Sequence, residues 1–166
     1  MRMDLIQPFI NSADAVLAQG LDSPISIENL TMEEEAYRRK GVAAEVHLAG
    51  EIEGRIIFDV DLGAAVQLAS RLANVAASET DEDLVREAVC ELANQIIGNA
   101  VTTLNDQGFH FHVRPPTQHT AEQGSKSSED TEAMVMCFNT TSGNVFMNVA
   151  LRYHRRLAAE RAAVAG

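Results

Sequence analysis

The sequence has no tryptophan, two cysteines, four prolines and few basic residues. Its 13 lysines and arginines stand against 24 acidic residues, and the formal net charge is −11. Nucleic acids and anionic membranes are bound by clustered lysine and arginine, so this deficit argues against both as partners. The charge favours instead a partner with a basic face.

Cysteine and long apolar runs are also scarce. Cys90 and Cys137 have no framework spacing, and we interpret them as reduced thiols of a cytoplasmic protein. No charged and then apolar leader precedes residue 20, and no apolar run approaches membrane-spanning length. With 166 residues and an apolar fraction of 46%, the chain is expected to form one soluble domain with its own core.

The most informative stretch is 80–104, TDEDLVREAVCELANQIIGNAVTTL, which predicts one long helix. Ser78 and Thr80 are candidate N-caps, and the acidic residues that follow suit the positive end of the helix dipole. At about 100° per residue, apolar residues cover one broad face, which we expect to be buried. They are Val85, Ala88, Val89, Leu92, Ala93, Ile96, Ile97, Ala100 and Leu104.

The opposite side of this helix carries Glu87, Glu91, Asn94 and Gly98, which we call the polar stripe. Their spacing places them within roughly 60° of one another around the axis. Glutamates on a helix are most simply explained as a solvated face. However, Asn and Gly are poor helix formers, and a mid-helix Gly costs about 0.8–1 kcal/mol relative to Ala. The stripe also lacks the Lys and Arg of surface pairing, so it favours a face that another molecule approaches closely.

The stripe and one distant proline resemble a known signature. Glu91-x-x-Asn94 on a long helix, with Pro116 twenty-two positions beyond the asparagine, is similar to the pattern of the CheC/CheX/FliY phosphatases of bacterial chemotaxis. The opening residues 6–10, IQPFI, resemble the start of CheX, and Gly50 with Gly54 resembles its centre. The similarity covers residues 4–153.

This resemblance implies a phosphatase that acts on the phospho-aspartate of a CheY-like receiver domain. Asn94 would orient the attacking water in the receiver's active site, and Glu91 would pair with the receiver's active-site lysine. Glu87, Gly98 and Pro116 would contact the partner. The protein would bring no metal or cofactor of its own, since the magnesium sits in the receiver. It would pair as a homodimer through its sheet.

One position departs from the family, and two other functions stay open. The residue four before Glu91 is usually Asp or Ser in the family, whereas Glu87 is long enough to reach a basic rim or to crowd the partner.

A non-catalytic CheX-like module would bind a receiver or a partner subunit without turnover, although a pure binder has no need of Asn94. A zinc domain would use His110 and His112, which share one strand face, but no third ligand is evident nearby. Cys90 has no base beside it, which argues against covalent catalysis.

The remaining pattern predicts an α+β domain, with long helices packed on a largely antiparallel sheet of about six strands. We expect one CheX-like domain over 1–153 and a tail of helical propensity over 154–166. A first helix over 4–20 would end at Gly20. A second helix, capped by Asp61, would bury Ala65, Val66, Leu68, Ala69 and Leu72. Strands are predicted over 24–30, 42–48, 55–60, 109–113, 133–140 and 144–152, and a mobile polar loop over 117–132.

Overall fold

Four α-helices and seven strands make up the part of the chain that the computed structural model describes, residues 3–33, 39–118, 133–153 and 155–165. The helices are α1 (Met3–Leu21), α2 (Leu62–Ala73), α3 (Glu82–Asp106) and α4 (Arg155–Ala165), with a short 3₁₀ helix at Ala77–Glu79. The strands are β1 (Ser26–Glu33), β2 (Val42–Gly50), β3 (Ile52–Val60), β4 (Phe111–Val113), β5 (Thr117–Gln118), β6 (Ala133–Thr140) and β7 (Gly143–Tyr153).

The strands form one antiparallel sheet in the order β1-β6-β7-β3-β2-β4, and the short β5 also pairs with β2. Two hairpins, β2–β3 and β6–β7, supply the four central strands, and β3 pairs with β7 along its whole length. Gly54 lies in this centre, where a Cβ atom would come within 1.9 Å of the Ala150 carbonyl oxygen. The predicted α+β fold with a largely antiparallel sheet is confirmed.

Helices α1, α2 and α3 pack on one face of this sheet and form the main core with it. Alternate side chains of β3 (Ile56, Phe58 and Val60) point toward the helices and are fully buried, as the strand period predicts. The predicted apolar side of α3 is buried along its whole length. Burial of a large apolar side chain contributes about 1.5–3 kcal/mol, so packing fixes which side of α3 faces solvent.

The other face of the central strands carries buried polar side chains. Arg55 donates from Nη1 to Oδ1 of Asn148, and both residues are buried. Burial lowers the pKa of Arg55, an effect that the charge of Glu45 partly opposes. Asp59 is fully buried and accepts the N–H groups of residues 40 and 41, which fixes the chain as it enters β2.

The end of α1 differs from the prediction. The helix continues through Gly20 to Leu21, and Asp22, with a φ of 48°, takes the left-handed conformation that was expected of the glycine. Aspartate is one of the few non-glycine residues that tolerate this conformation, because its short polar side chain bonds locally.

One prediction for α2 holds in part and one is wrong. Asp61 is the N-cap residue, as predicted, but its side chain makes no capping hydrogen bond; its Oδ2 accepts the N–H of Asn144 at 2.8 Å and so ties α2 to β7. Leu72, predicted to be buried, is 54% exposed, because it lies in the last turn of α2 at the rim of a groove. Val66 is half-buried, whereas the smaller Ala65 and Ala69 carry the contact with the core.

The C-terminal tail is helical, as its propensity predicts, and it is anchored by an ion pair. Arg161 of α4 bonds to the buried carboxylate of Glu51 in the β2–β3 turn, and its Nη2 donates to the Gly108 carbonyl at 3.3 Å. Glu51 also accepts the N–H of His110 at 3.0 Å. Nearby, Phe109 packs edge-to-face on Tyr153 with ring centroids 5.7 Å apart.

The strand and the loop that were predicted after α3 differ in extent from those in the structure. The strand expected over 109–113 is limited to β4, and the polar segment expected over 117–132 begins with β5; residues 119–132 lie outside the described residues. Over the ranges that are described, each helix is too short or too polar to cross a membrane.

Candidate functional site

The N-cap of the site helix α3 is not one of the two residues that the sequence predicted. Asp81 is the N-cap, and its Oδ1 accepts the N–H of Leu84 at 2.8 Å. Ser78 belongs to the 3₁₀ helix, and the Thr80 hydroxyl donates back to the Ala77 carbonyl at 2.8 Å. The helix starts slightly later than predicted, but its phase, and therefore the polar stripe, is unchanged.

The polar stripe lies on the solvent side of α3. Glu87, Glu91, Asn94 and Gly98 are all exposed, whereas the adjacent Leu92 is only 4% exposed. The spacing of the stripe and its exposure were therefore predicted correctly. The 25 residues of α3 form one uninterrupted helix, so the four positions are held on a rigid support.

A buried hydrogen bond anchors α3 at the level of the stripe. The hydroxyl of Ser12 in α1 donates to the main-chain carbonyl of Ile96 at 2.7 Å. Ile96 follows Asn94 by two residues, so the bond joins the two helices directly beneath the exposed asparagine. The sequence contained no signal for this role, because a serine within a helix is usually read as a solvent-facing residue.

The carboxylate of Glu91 has one neighbour on its own helix. Gln95 donates from Nε2 to Oε1 of Glu91 at 3.3 Å, across one helical turn. The distance is at the long end of the hydrogen-bond range, so the contact is weak. It limits the orientations of Glu91 while its second oxygen has no partner among the described residues.

Gly98 faces open space. A Cβ atom at this position would meet no atom within 4 Å, and the residue does not have a positive φ. Neither packing nor backbone conformation within the protein requires a glycine, although glycine here costs about 0.8–1 kcal/mol relative to alanine. The bare backbone leaves room for another molecule to approach α3 closely.

The other candidate residues do not belong to the stripe. Pro116 is half-buried in the connection between β4 and β5, on a different element from Asn94. Cys90 is half-buried beside the stripe, and burial raises the pKa of its thiol, so it stays protonated at neutral pH. His110 and His112 are both exposed near the β2–β3 turn. Over the described ranges, no group of three His, Cys, Asp or Glu side chains is placed to hold a metal ion.

These features define an α+β protein with a polar, exposed helix face, on which one carboxylate and one carboxamide lie a single turn apart. The sequence matches the family described as chemotaxis phosphatase CheX over residues 42–140. The crystal structure of the CheX–CheY–BeF3–Mg²⁺ complex from Borrelia burgdorferi is similar, with 34% identity and a TM-score of 0.66 over 91% of this chain and 99% of that one. The chain belongs to the CheX family of chemotaxis phosphatases, as its signature predicts.

Two further solved structures share the fold. A CheC-like superfamily protein from Shewanella sp. PV-4 has 19% identity and a TM-score of 0.78, over 92% of this chain and 99% of that one. The chemotaxis protein CheX from Vibrio vulnificus has 20% identity and a TM-score of 0.75, over 90% and 99% of the two chains. No curated protein matches the sequence.

Proposed function

We propose that this protein is a phosphatase that hydrolyses the phospho-aspartate of a CheY-like receiver domain. The observation that carries the proposal is the pair Glu91 and Asn94, exposed and one turn apart on α3. Membership of a chemotaxis phosphatase family supports the reaction class, and the complex of the Borrelia relative with CheY supports the class of partner.

Asn94 orients the attacking water in this proposal. Hydrolysis of an acyl phosphate needs a water held in line with the leaving carboxylate, and the gain comes mainly from positioning and charge stabilisation. A carboxamide both donates and accepts hydrogen bonds without needing a particular protonation state. Because the Ser12–Ile96 bond anchors α3 near Asn94, the backbone that carries the asparagine is already fixed before the receiver docks.

Glu91 sets the register of docking by pairing with the receiver's active-site lysine. The carboxylate is exposed, and Gln95 restricts it without neutralising it. The formal net charge of −11 supports a basic contact on the partner, because opposite charges speed encounter and fix orientation. Glu87 and Gly98 extend the contact along the stripe, and Pro116 contributes from the β4–β5 connection.

The reaction's metal belongs to the partner in this proposal. Magnesium is held with the phospho-aspartate in the receiver, where it supplies charge neutralisation on the phosphoryl oxygens. The protein itself contributes no metal or cofactor; Asn94 and Glu91 supply the water position and the docking contact. We place the protein in the cytoplasm, where such receivers act.

The test is phosphate release from the phosphorylated receivers of the host, each incubated with the purified protein. The proposal predicts that at least one receiver loses its phosphate much faster with the protein than alone. A non-catalytic CheX-like module is the alternative, and it would bind a receiver without changing the rate of release. If the protein binds receivers but accelerates phosphate release from none of them, the result favours the alternative and contradicts the proposed phosphatase.

We also propose a homodimer formed through the sheet. The resemblance to CheX, which implies pairing through the sheet, carries this proposal; the apolar side chains of β6 and β7 are already buried within the chain, and both strands lie inside the sheet. Light scattering tests the proposal across a wide concentration range, and a monomeric mass throughout would contradict it.

A further inference from the structure

A groove opens beside Glu91, where the ends of α1 and α2 meet α3. Its walls are mainly apolar, and Glu91 and Gln95 form the edge nearest the stripe. Leu72 stands on the α2 side with 54% of its surface exposed. The apolar residues that line the groove are Val16, Gly20, Leu68, Leu72, Ala88 and Leu92.

The size of the groove suits a single side chain better than a small-molecule ligand. Its volume is about 210 Å³, below the range of roughly 300–1,000 Å³ that is typical of ligand and cofactor pockets. Apolar pockets of side-chain size at protein interfaces typically receive one aromatic or aliphatic anchor of the partner. A lone exposed leucine needs no explanation, but Leu72 is one wall of a formed recess.

We propose that this groove receives an apolar side chain of the phosphorylated receiver domain, and that Leu72 is a docking and specificity residue. The inference rests on the proposed function. The groove and the polar stripe are continuous, because Glu91 belongs to both. A receiver whose lysine reaches Glu91 must therefore lay the neighbouring part of its surface over the groove.

Charge supports the same partner. Arg71 lines the groove and donates from Nε to the Gly20 carbonyl at 2.9 Å, which fixes its position at the rim. Arg71 forms no ion pair with any residue that the structure describes. Glu91 and Arg71 thus present opposite charges on one groove, a pattern that favours a partner surface on which a basic and an acidic group lie side by side. On a chain of net charge −11, such a basic group also limits the orientations in which a partner can dock.

The experiment measures the affinity of the full-length protein for the host's CheY-like receivers, each with Mg²⁺ and beryllofluoride in place of the phosphoryl group. Leu72→Ala removes the wall of the groove and should weaken binding by about tenfold. Leu72→Met keeps the apolar volume and should retain most of the affinity. Leu62→Ala is the matched control, because Leu62 is also on α2 and is 64% exposed but does not line the groove.

A loss of affinity in Leu72→Ala that Leu62→Ala does not share supports the inference, provided that both variants unfold at the parent's temperature. Equal affinity of Leu72→Ala and the parent, or an equal loss in both alanine variants, overturns it and leaves the proposed phosphatase standing. If the parent binds no receiver, the proposed function and this inference both fall. If Asn94→Ala keeps full turnover, only the assigned mechanism falls, since the affinity measurement does not depend on it.

Discussion

The Ser12 hydroxyl and the Ile96 carbonyl are 2.7 Å apart in the core, and they join α1 to α3 directly under the polar stripe. The Ile96 carbonyl is a helical acceptor whose second lone pair receives the serine hydroxyl. The bond fixes α1 and α3 relative to each other at the point where Asn94 is exposed. The position of the site thus depends on a residue outside the Glu-x-x-Asn signature.

Ser12→Ala should lower the free energy of unfolding by about 1 kcal/mol, the usual net contribution of an internal hydrogen bond. Urea denaturation of parent and variant measures the difference. Ser78→Ala is the control, because Ser78 is exposed in the 3₁₀ helix and should change stability by less than about 0.5 kcal/mol. Equal effects of the two substitutions would show that the buried bond contributes nothing specific.

Gly98→Ala should raise the stability of the protein and weaken its binding to the receiver. A Cβ atom here meets nothing within the protein, so the variant should gain about 0.8–1 kcal/mol in free energy of unfolding. If a receiver approaches the bare backbone, the added methyl group should weaken receiver binding. Thermal unfolding and a binding titration on one preparation check both parts. A more stable variant with unchanged affinity would mean that no partner contacts this position.

Glu91→Gln should weaken receiver binding at low salt and have less effect at high salt. The substitution keeps the side-chain shape and removes the charge that pairs with the receiver's lysine. The Debye length falls from about 10 Å at 0.1 M to about 3 Å at 1 M ionic strength, so the lost attraction is already screened at high salt. Asp106→Asn removes the same charge from the far end of α3 and is the control. A similar salt dependence in both variants would point to net charge alone.

Glu51 makes stability depend on pH. Burial by itself raises the pKa of this carboxyl group, but the bond and charge of Arg161 and the N–H of His110 outweigh it and lower the pKa below its usual value. A carboxyl group with a lowered folded pKa stabilises the protein above its unfolded pKa, roughly 4.3, and this contribution is lost as pH falls through the folded value. The contribution should be complete at pH 7.

Glu51→Gln should therefore reduce the free energy of unfolding by about 1–2 kcal/mol at pH 7, and the difference from the parent should shrink below about pH 4. The expected loss in free energy of unfolding is small because Arg161 is partly exposed, so that solvent screens its charge. Glu53→Gln is the matched control, because Glu53 pairs with Arg152 at 2.7 Å in a more exposed setting and should contribute at most about 1 kcal/mol. A difference for Glu51→Gln that is constant from pH 7 to pH 3 would contradict the assignment.

The sequence predicted the site helix well because its periodicity is strong. The apolar side from Val85 to Leu104 and the exposed pair Glu91 and Asn94 follow from 3.6 residues per turn alone. Its start was harder to predict, because Ser78, Thr80 and Asp81 are all good N-caps. Only the bond from Leu84 to Asp81 decides among them.

Tertiary contacts explain what the sequence did not reveal. Strand alternation groups Arg55 and Asp59 on one face of β3, but it does not say that this face is buried. Periodicity likewise assigned Leu72 to the buried side of α2, yet the helix ends one residue later and leaves it at the rim of a groove. The pairing of Glu51 with Arg161 joins residues 110 positions apart, which no local pattern indicates.

The most direct measurement of the central claim is phosphate release from a phosphorylated receiver by Asn94→Ala, with receiver affinity measured beside it. If Asn94 positions the attacking water, the interaction is made mainly in the transition state, so turnover should fall by about 10²-fold or more while affinity stays nearly constant. Asn99→Ala is the control, because Asn99 is exposed on the same helix but lies off the stripe. It should release phosphate at the parent's rate. Release by Asn94→Ala as fast as by the parent would contradict the account.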